Sequence, residues 1–135
     1  MKSLIIVLIL ITNSFSSNEN YELKLYEKIL PNIFKKDLLI YTDLSTKEIL
    51  KYSDSLKITL NCIEADVLLG KGFKNLPVKC QDKPIFSTSY RSFTNNANAI
   101  GAFYWRKGRP QIKFKLDALI RYNIKLPKSF IEFAK

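Results

Sequence analysis

Apolar and polar positions alternate along this chain in short blocks, and the blocks switch repeatedly between helical and strand spacing. Between Asn20 and Phe34 the positions Leu25, Ile29 and Phe34, with Tyr26, Leu30 and Ile33 beside them, predict an amphipathic helix interrupted near Pro31. Leu38-Leu39-Ile40-Tyr41 is a continuous apolar run of the kind that suits a strand covered on both faces. Ser45-Thr46-Lys47-Glu48 reads as a capping box, Ser45 and Glu48 each satisfying a backbone amide of the other, which predicts a helix to about Tyr52. Leu56, Ile58 and Leu60 alternate with Lys57 and Thr59, the mark of a strand with one wet face at a sheet edge.

Ala65 to Leu69, apolar except for Asp66, predicts an interior strand ending in Gly70-Lys71-Gly72. Phe73 to Val78 predicts a short helix or loop, and Lys83 to Ser89 the next strand, with Pro84 at the start, where a strand tolerates it. A polar turn at Thr94-Asn95-Asn96 leads into the apolar run Ala99 to Trp105, a basic turn Arg106-Lys107-Gly108-Arg109-Pro110, and a second arm, Gln111 to Lys115, alternating at period two. That is a hairpin. Leu116, Leu119 and Ile120 then repeat at helical spacing, with Asp117 in the first turn, where the helix dipole favours a carboxylate. Asn123 is the expected stop, and Pro127 opens a last short helix carrying Phe130, Ile131 and Phe133.

Strands alternating with short helices imply parallel pairing with crossover connections. The fold class expected is therefore α/β: a small three-layer Rossmann-like or flavodoxin-like domain, mostly parallel, with a C-terminal hairpin and a closing helix. The expected strand order places 56–60 at one edge, then 38–42, 65–69 and 84–88, with the hairpin beyond.

The first residues stand outside this pattern. Lys2, the unbroken apolar run Leu4 to Ile11 and the small residues around Ser14-Phe15-Ser16 have the layout of a secretion signal, too short in its apolar part for a spanning helix. The expected division is a cleaved signal at 1–16 and one domain at 17–135, with no stable membrane insertion after cleavage. A tilted, uncleaved anchor is the alternative. At 135 residues and 47% hydrophobic content, the chain has enough apolar material for one core without help from a metal.

The formal charge is +10. Such an excess points towards nucleic acid in an intracellular protein, but export argues against that partner, and the lysines are spread over every element. Export also bears on Cys62 and Cys80. Each precedes a predicted strand, so in a parallel sheet both sit at the same end, and a structural disulfide is expected, with two free buried thiols as the alternative.

The chain has no histidine. This excludes Ser-His and Cys-His nucleophilic pairs and removes the commonest metal ligand. Glu64 and Asp66 share a strand face, yet no facing group completes an acid-base pair. No catalytic, cofactor or metal site is expected. Two binding regions are. The carboxyl ends of the strands, where open α/β sheets bind ligands, gather Thr42, Asp43, Gly70, Lys71, Gly72 and the run Ser87 to Arg91. Lys71, Ser87, Ser89 and Arg91 are the expected contacts to a small anion, although Gly-Lys-Gly falls short of a phosphate loop and ordinary turns and caps account for the same residues. The hairpin offers Tyr104, Trp105, Arg106 and Arg109, residue types that dominate protein interfaces, against the alternative that its aromatics fill the core.

From about residue 60 onward the chain resembles the tail half of YfiR-like periplasmic proteins. The resemblance is carried by Ala65-Asp66-Val67-Leu68-Leu69, Pro84-Ile85-Phe86-Ser87-Thr88-Ser89, Ile100-Gly101-Ala102-Phe103, Ile112-Lys113-Phe114, the helix with Asp117, Ile124-Lys125-Leu126 and the apolar close from Phe130 to Ala134. It implies a disulfide-bearing periplasmic regulator that binds and restrains a membrane diguanylate cyclase or related sensor, without catalysis of its own. The chain departs from the family pattern over Tyr26 to Tyr41, and Phe130-Ile131 stands where that family closes on Leu-Leu. The functional expectation is thus an exported, non-enzymatic regulatory domain whose partner is the periplasmic part of an inner-membrane sensor kinase or cyclase. The rival is a small-anion binding domain, like one lobe of a substrate-binding protein.

Overall fold

The computed structural model describes residues 17–34 and 37–134; the signal segment expected at 1–16 lies outside the described residues. The elements in chain order are α1 (Ser17–Ile33), β1 (Leu39–Thr42), α2 (Leu44–Leu50), β2 (Lys57–Ile58), β3 (Val67–Gly70), β4 (Ile85–Ser87), α3 (Tyr90–Asn95), β5 (Ala99–Arg106), β6 (Arg109–Phe114) and α4 (Leu116–Arg121). Tight 3-10 turns occupy Cys62–Glu64, Val78–Cys80 and Lys128–Phe133. One six-stranded sheet runs β2-β1-β3-β4-β5-β6, parallel throughout except for the β5–β6 hairpin. The expected fold class and strand order both hold.

The sheet divides the apolar side chains into two sets. On one face α1, α2 and α4 cover Ile40, Val67, Leu69, Phe86 and Phe103. Tyr26 of α1 sits at the centre, fully buried, with its ring edge-on to Phe86 and Phe103 at 6.3 and 6.0 Å. On the other face Leu68 and Ile85 pack with Cys62 and Cys80, while Phe93 of α3 packs with Ala99, Ala102 and Tyr104 of β5. The cysteines are joined in a disulfide with Cα atoms 6.0 Å apart, at the amino ends of β3 and β4.

Strand β5 carries a bulge. Ala99 pairs with Ile85 but Gly101 pairs with Phe86, so Ile100 is an extra residue and turns into the main core. Glycine is required next to it, because a Cβ at Gly101 would lie 2.7 Å from Phe114 Cδ1 and 3.0 Å from Phe86 Cε2. The hairpin turn has positive φ at Lys107 (53°) and Gly108 (76°), the signature of a two-residue type I′ turn whose twist suits the flanking strands. Both sheet edges are blunt. β2 has two residues, and β6 begins with Arg109 and Pro110, the latter without an N–H to offer, and meets Ala134 through an isolated bridge at Phe114.

Several local expectations are corrected. The helix α1 runs through Pro31, which falls in its last turn, so only one internal hydrogen bond is lost before the helix ends. The cap of α2 is Asp43 rather than Ser45: its carboxylate accepts from Thr46 N–H at 3.0 Å, while Glu48 pairs with Lys51 at 2.7 Å. The edge strand is confined to Lys57–Ile58: Thr59 still donates its N–H to Ile40 O at 2.9 Å, but its hydroxyl bonds the backbone of Asn61 and the chain turns away after it. The last short helix is a 3-10 turn over Lys128–Phe133. Asn123 does stop α4, at φ 56°, with Asn123 N–H on Ile120 O (3.0 Å) and Ile124 N–H on Leu119 O (2.9 Å), a Schellman close.

Candidate binding site at the carboxyl ends of the strands

The order 2-1-3-4-5 places a topological switch point between β1 and β3, the usual ligand position in such sheets. Here the protein fills it with its own carboxylate. Asp43, one residue past β1, accepts the Thr46 N–H (3.0 Å) and the Ser45 hydroxyl (3.2 Å) on Oδ1 and the Lys71 N–H (2.9 Å) on Oδ2. Gly70 lets it approach, since a Cβ there would stand 2.4 Å from Oδ2. Thr42 donates its hydroxyl across to Leu69 O at 2.7 Å. The backbone amides that would hold an anion already hold one, so Lys71 contributes its N–H to closing this crevice.

The next two expected contacts are spent in the same way. Ser87 is fully buried with its Oγ 3.1 Å from Ser92 Oγ, and Ser89 caps α3 by accepting the Ser92 N–H at 3.1 Å. Asn96 adds a bond to Ser92 O at 2.9 Å, closing the short helix at its other end. Ser87 therefore does not face a ligand. Arg91 lies exposed on α3. The four residues expected to hold an anion are thus not assembled into one site.

A cleft of about 480 Å³ opens one step along the same sheet edge, at the ends of β4 and β5. Thr88, Ser89, Tyr90, Tyr104, Trp105 and Arg106 line it. It joins Ser89 of the expected anion site to three residues of the expected partner surface, a combination that no sequence spacing announced. Tyr104 is 7% exposed, its ring 5.5 Å from that of Tyr90, and its buried hydroxyl has no hydrogen-bond partner among the described residues. Trp105 points to the opposite face, where its ring lies 5.6 Å from Phe103 and 5.7 Å from Tyr21 of α1. The Tyr26 hydroxyl donates to the Glu22 carboxylate. Burial pushes the Glu22 carboxyl above its ordinary value, and the Tyr26 hydroxyl and the nearby Trp105 indole hold back part of the rise. Arg106 and Arg109 flank the hairpin turn and are exposed, as are Lys107 and Gly108 between them.

Asp66 and Glu64 bond within the fold. Asp66 accepts the Leu39 N–H at 2.7 Å, tying the entry of β3 to β1, and Glu64 takes the Thr59 hydroxyl at 3.3 Å. Among the described residues no cluster of three or more His, Cys, Asp or Glu side chains is placed to hold a metal.

The fold and this edge define a small three-layer α/β domain with flavodoxin-like strand order and a capping hairpin. No protein-family model matches the chain, and no curated protein matches it. Among solved structures it is similar to a conserved domain protein from Vibrio cholerae O1 biovar eltor, with a TM-score of 0.58 at 15% sequence identity. That likeness covers 90% of this chain and 60% of the other, so this chain spans little more than half the length of its neighbour, and the two share a fold.

Proposed function

We propose that this protein is an exported, non-enzymatic regulatory domain that docks through its β5–β6 hairpin onto the outer part of a membrane sensor. The observation that carries this reading is the hairpin tip. A two-residue turn presents Arg106, Lys107 and Arg109 to solvent, on a hairpin whose strand β5 also carries Phe103 and Trp105 packed against Tyr21. Arginine on the same hairpin as partly exposed aromatics is the composition of an interface hot spot, and a tip held by a tight turn loses little entropy on docking. The charge selects an acidic partner surface. The disulfide suits an oxidising compartment. Among the described residues no helix is long and apolar enough to cross a membrane. The resemblance to YfiR-like regulators supplies the partner class: an inner-membrane diguanylate cyclase or sensor kinase.

A photo-crosslinking side chain at Lys107, with Lys47 on α2 as the control position, tests this in the cells of origin. The expected result is one inner-membrane sensor captured from position 107 and absent from position 47, with capture lost in the R106E/R109E variant. Equal capture from both positions, or none from either, overturns the docking reading.

A further inference from the structure

The cleft at the ends of β4 and β5 shares Arg106 with the docking hairpin but adds a chemistry of its own. We infer that it is a binding site for a small organic carboxylate with an apolar or aromatic body. This goes beyond the docking reading and stands or falls without it.

Three observations converge. The volume, about 480 Å³, lies within the range of small-molecule sites. Tyr104 lines the wall, and its phenolic hydroxyl, buried beneath the surface, has no partner among the described residues. A buried hydroxyl is nearly always paired, because an unpaired one forgoes its bonds to water and receives nothing in return. An acceptor brought in by an occupant restores that bond. The third observation is the pairing of this donor with a cation. Arg106 lies on the same wall, and its planar fork matches the two oxygens of a carboxylate. Thr88 adds a further hydroxyl.

The same inventory selects against phosphate. One guanidinium and neutral hydroxyls balance a single negative charge, and the backbone amides that usually cradle a phosphate are absorbed here by Asp43 and by the Ser89 cap. The Tyr90 ring, half exposed and tilted against Tyr104, offers a face for the apolar part of the ligand.

Binding is read by isothermal titration calorimetry, because the Trp105 indole lies on the opposite face of the sheet. The probes are benzoate and phenylacetate, with benzamide as the neutral isostere and inorganic phosphate as the other anion, each at concentrations up to about 10 mM, ten times a millimolar Kd. The expected result is a saturable heat of binding, with a matching rise in melting temperature, for the carboxylates alone. R106Q and Y104F should each weaken binding about tenfold or more. Y104F also carries an internal control for folding. Deleting an unpaired buried hydroxyl should leave the unliganded protein as stable as the parent or more so, so loss of binding in that variant is not loss of structure. No saturable response to either carboxylate overturns the inference. So does an equal response to benzamide, phosphate binding as tight as benzoate, or carboxylate binding indifferent to both substitutions. None of these outcomes bears on crosslinking from Lys107.

Discussion

Replacing Asp43 by alanine removes one carboxylate that holds three donors at the switch point. Loss of a helix cap costs about 1 kcal/mol, and loss of the charge-assisted bond from Lys71 N–H about another 1 kcal/mol, for a total of about 2 kcal/mol. In a domain of this size that lowers the melting temperature by about 8 °C. The variant should then show what the native protein conceals. The N–H groups of Thr46 and Lys71 are left facing a space of carboxylate size beside Gly70, and formate should occupy it. At ten times its Kd, formate restores about 1.4 kcal/mol, recovering more than half of the loss. The assay is thermal unfolding followed by circular dichroism, with the disulfide intact, in formate and in chloride at matched ionic strength. D43N, which still caps, should fall between the two proteins and gain less from formate. The reasoning is refuted if D43A melts within about 2 °C of the parent, a shift expected from a surface substitution of under 0.5 kcal/mol. It is equally refuted if formate raises D43A and the parent alike.

Three other outcomes are expected. G101A should be destabilised by about 1–3 kcal/mol in urea titrations, because its methyl group meets the rings of Phe114 and Phe86 and neither ring is exposed; stability equal to the parent would mean that the rings have room to move. The C62S/C80S double variant releases a crosslink across a sequence separation of 18, worth about 3 kcal/mol by loop closure, and should shift the urea midpoint accordingly. Glu22, whose carboxyl is raised by burial, binds more protons folded than unfolded between its ordinary and raised values, so the parent loses stability as pH rises through that window. Melting curves of E22Q lack this slope, so the parent should gain on the variant as pH falls from about 7 to 4; parallel curves would remove the role assigned to burial.

Strand order was legible in the sequence because each inner strand is a short apolar run with its own turn signals, and β1 and β3 have no polar position facing the core that would shift the register. Helix α3 was not. Tyr90-Arg91-Ser92-Phe93-Thr94-Asn95 has only Phe93 as an apolar anchor, and its helix rests on two caps and a buried serine pair, which periodicity does not register. The signal available was Ser89 ahead of it and Asn96 behind. The sequence brought Lys71, Ser87 and Ser89 to one end of the sheet, but the Lys71 N–H and the two serine hydroxyls bond within the protein. Hydroxyls at strand ends look the same in a sequence whether they face a ligand or a neighbouring helix, and Ser87 faces Ser92. Tyr104 was legible as an aromatic on β5, but its missing hydrogen-bond partner depends on what surrounds the ring, which local spacing does not contain.

The two blunt edges of the sheet govern what the protein does in company. A chain that presents the apolar runs Leu38 to Tyr41 and Ala65 to Leu69 before they pair is most prone to associate while still folding. Once folded, a two-residue strand at one border and a proline at the other leave little ladder for another molecule to extend. Concentrated solutions should therefore stay monodisperse and free of cross-β fibres. Partners must approach end-on or across a helical face, and inhibitors designed as extended strands will find no purchase on this domain.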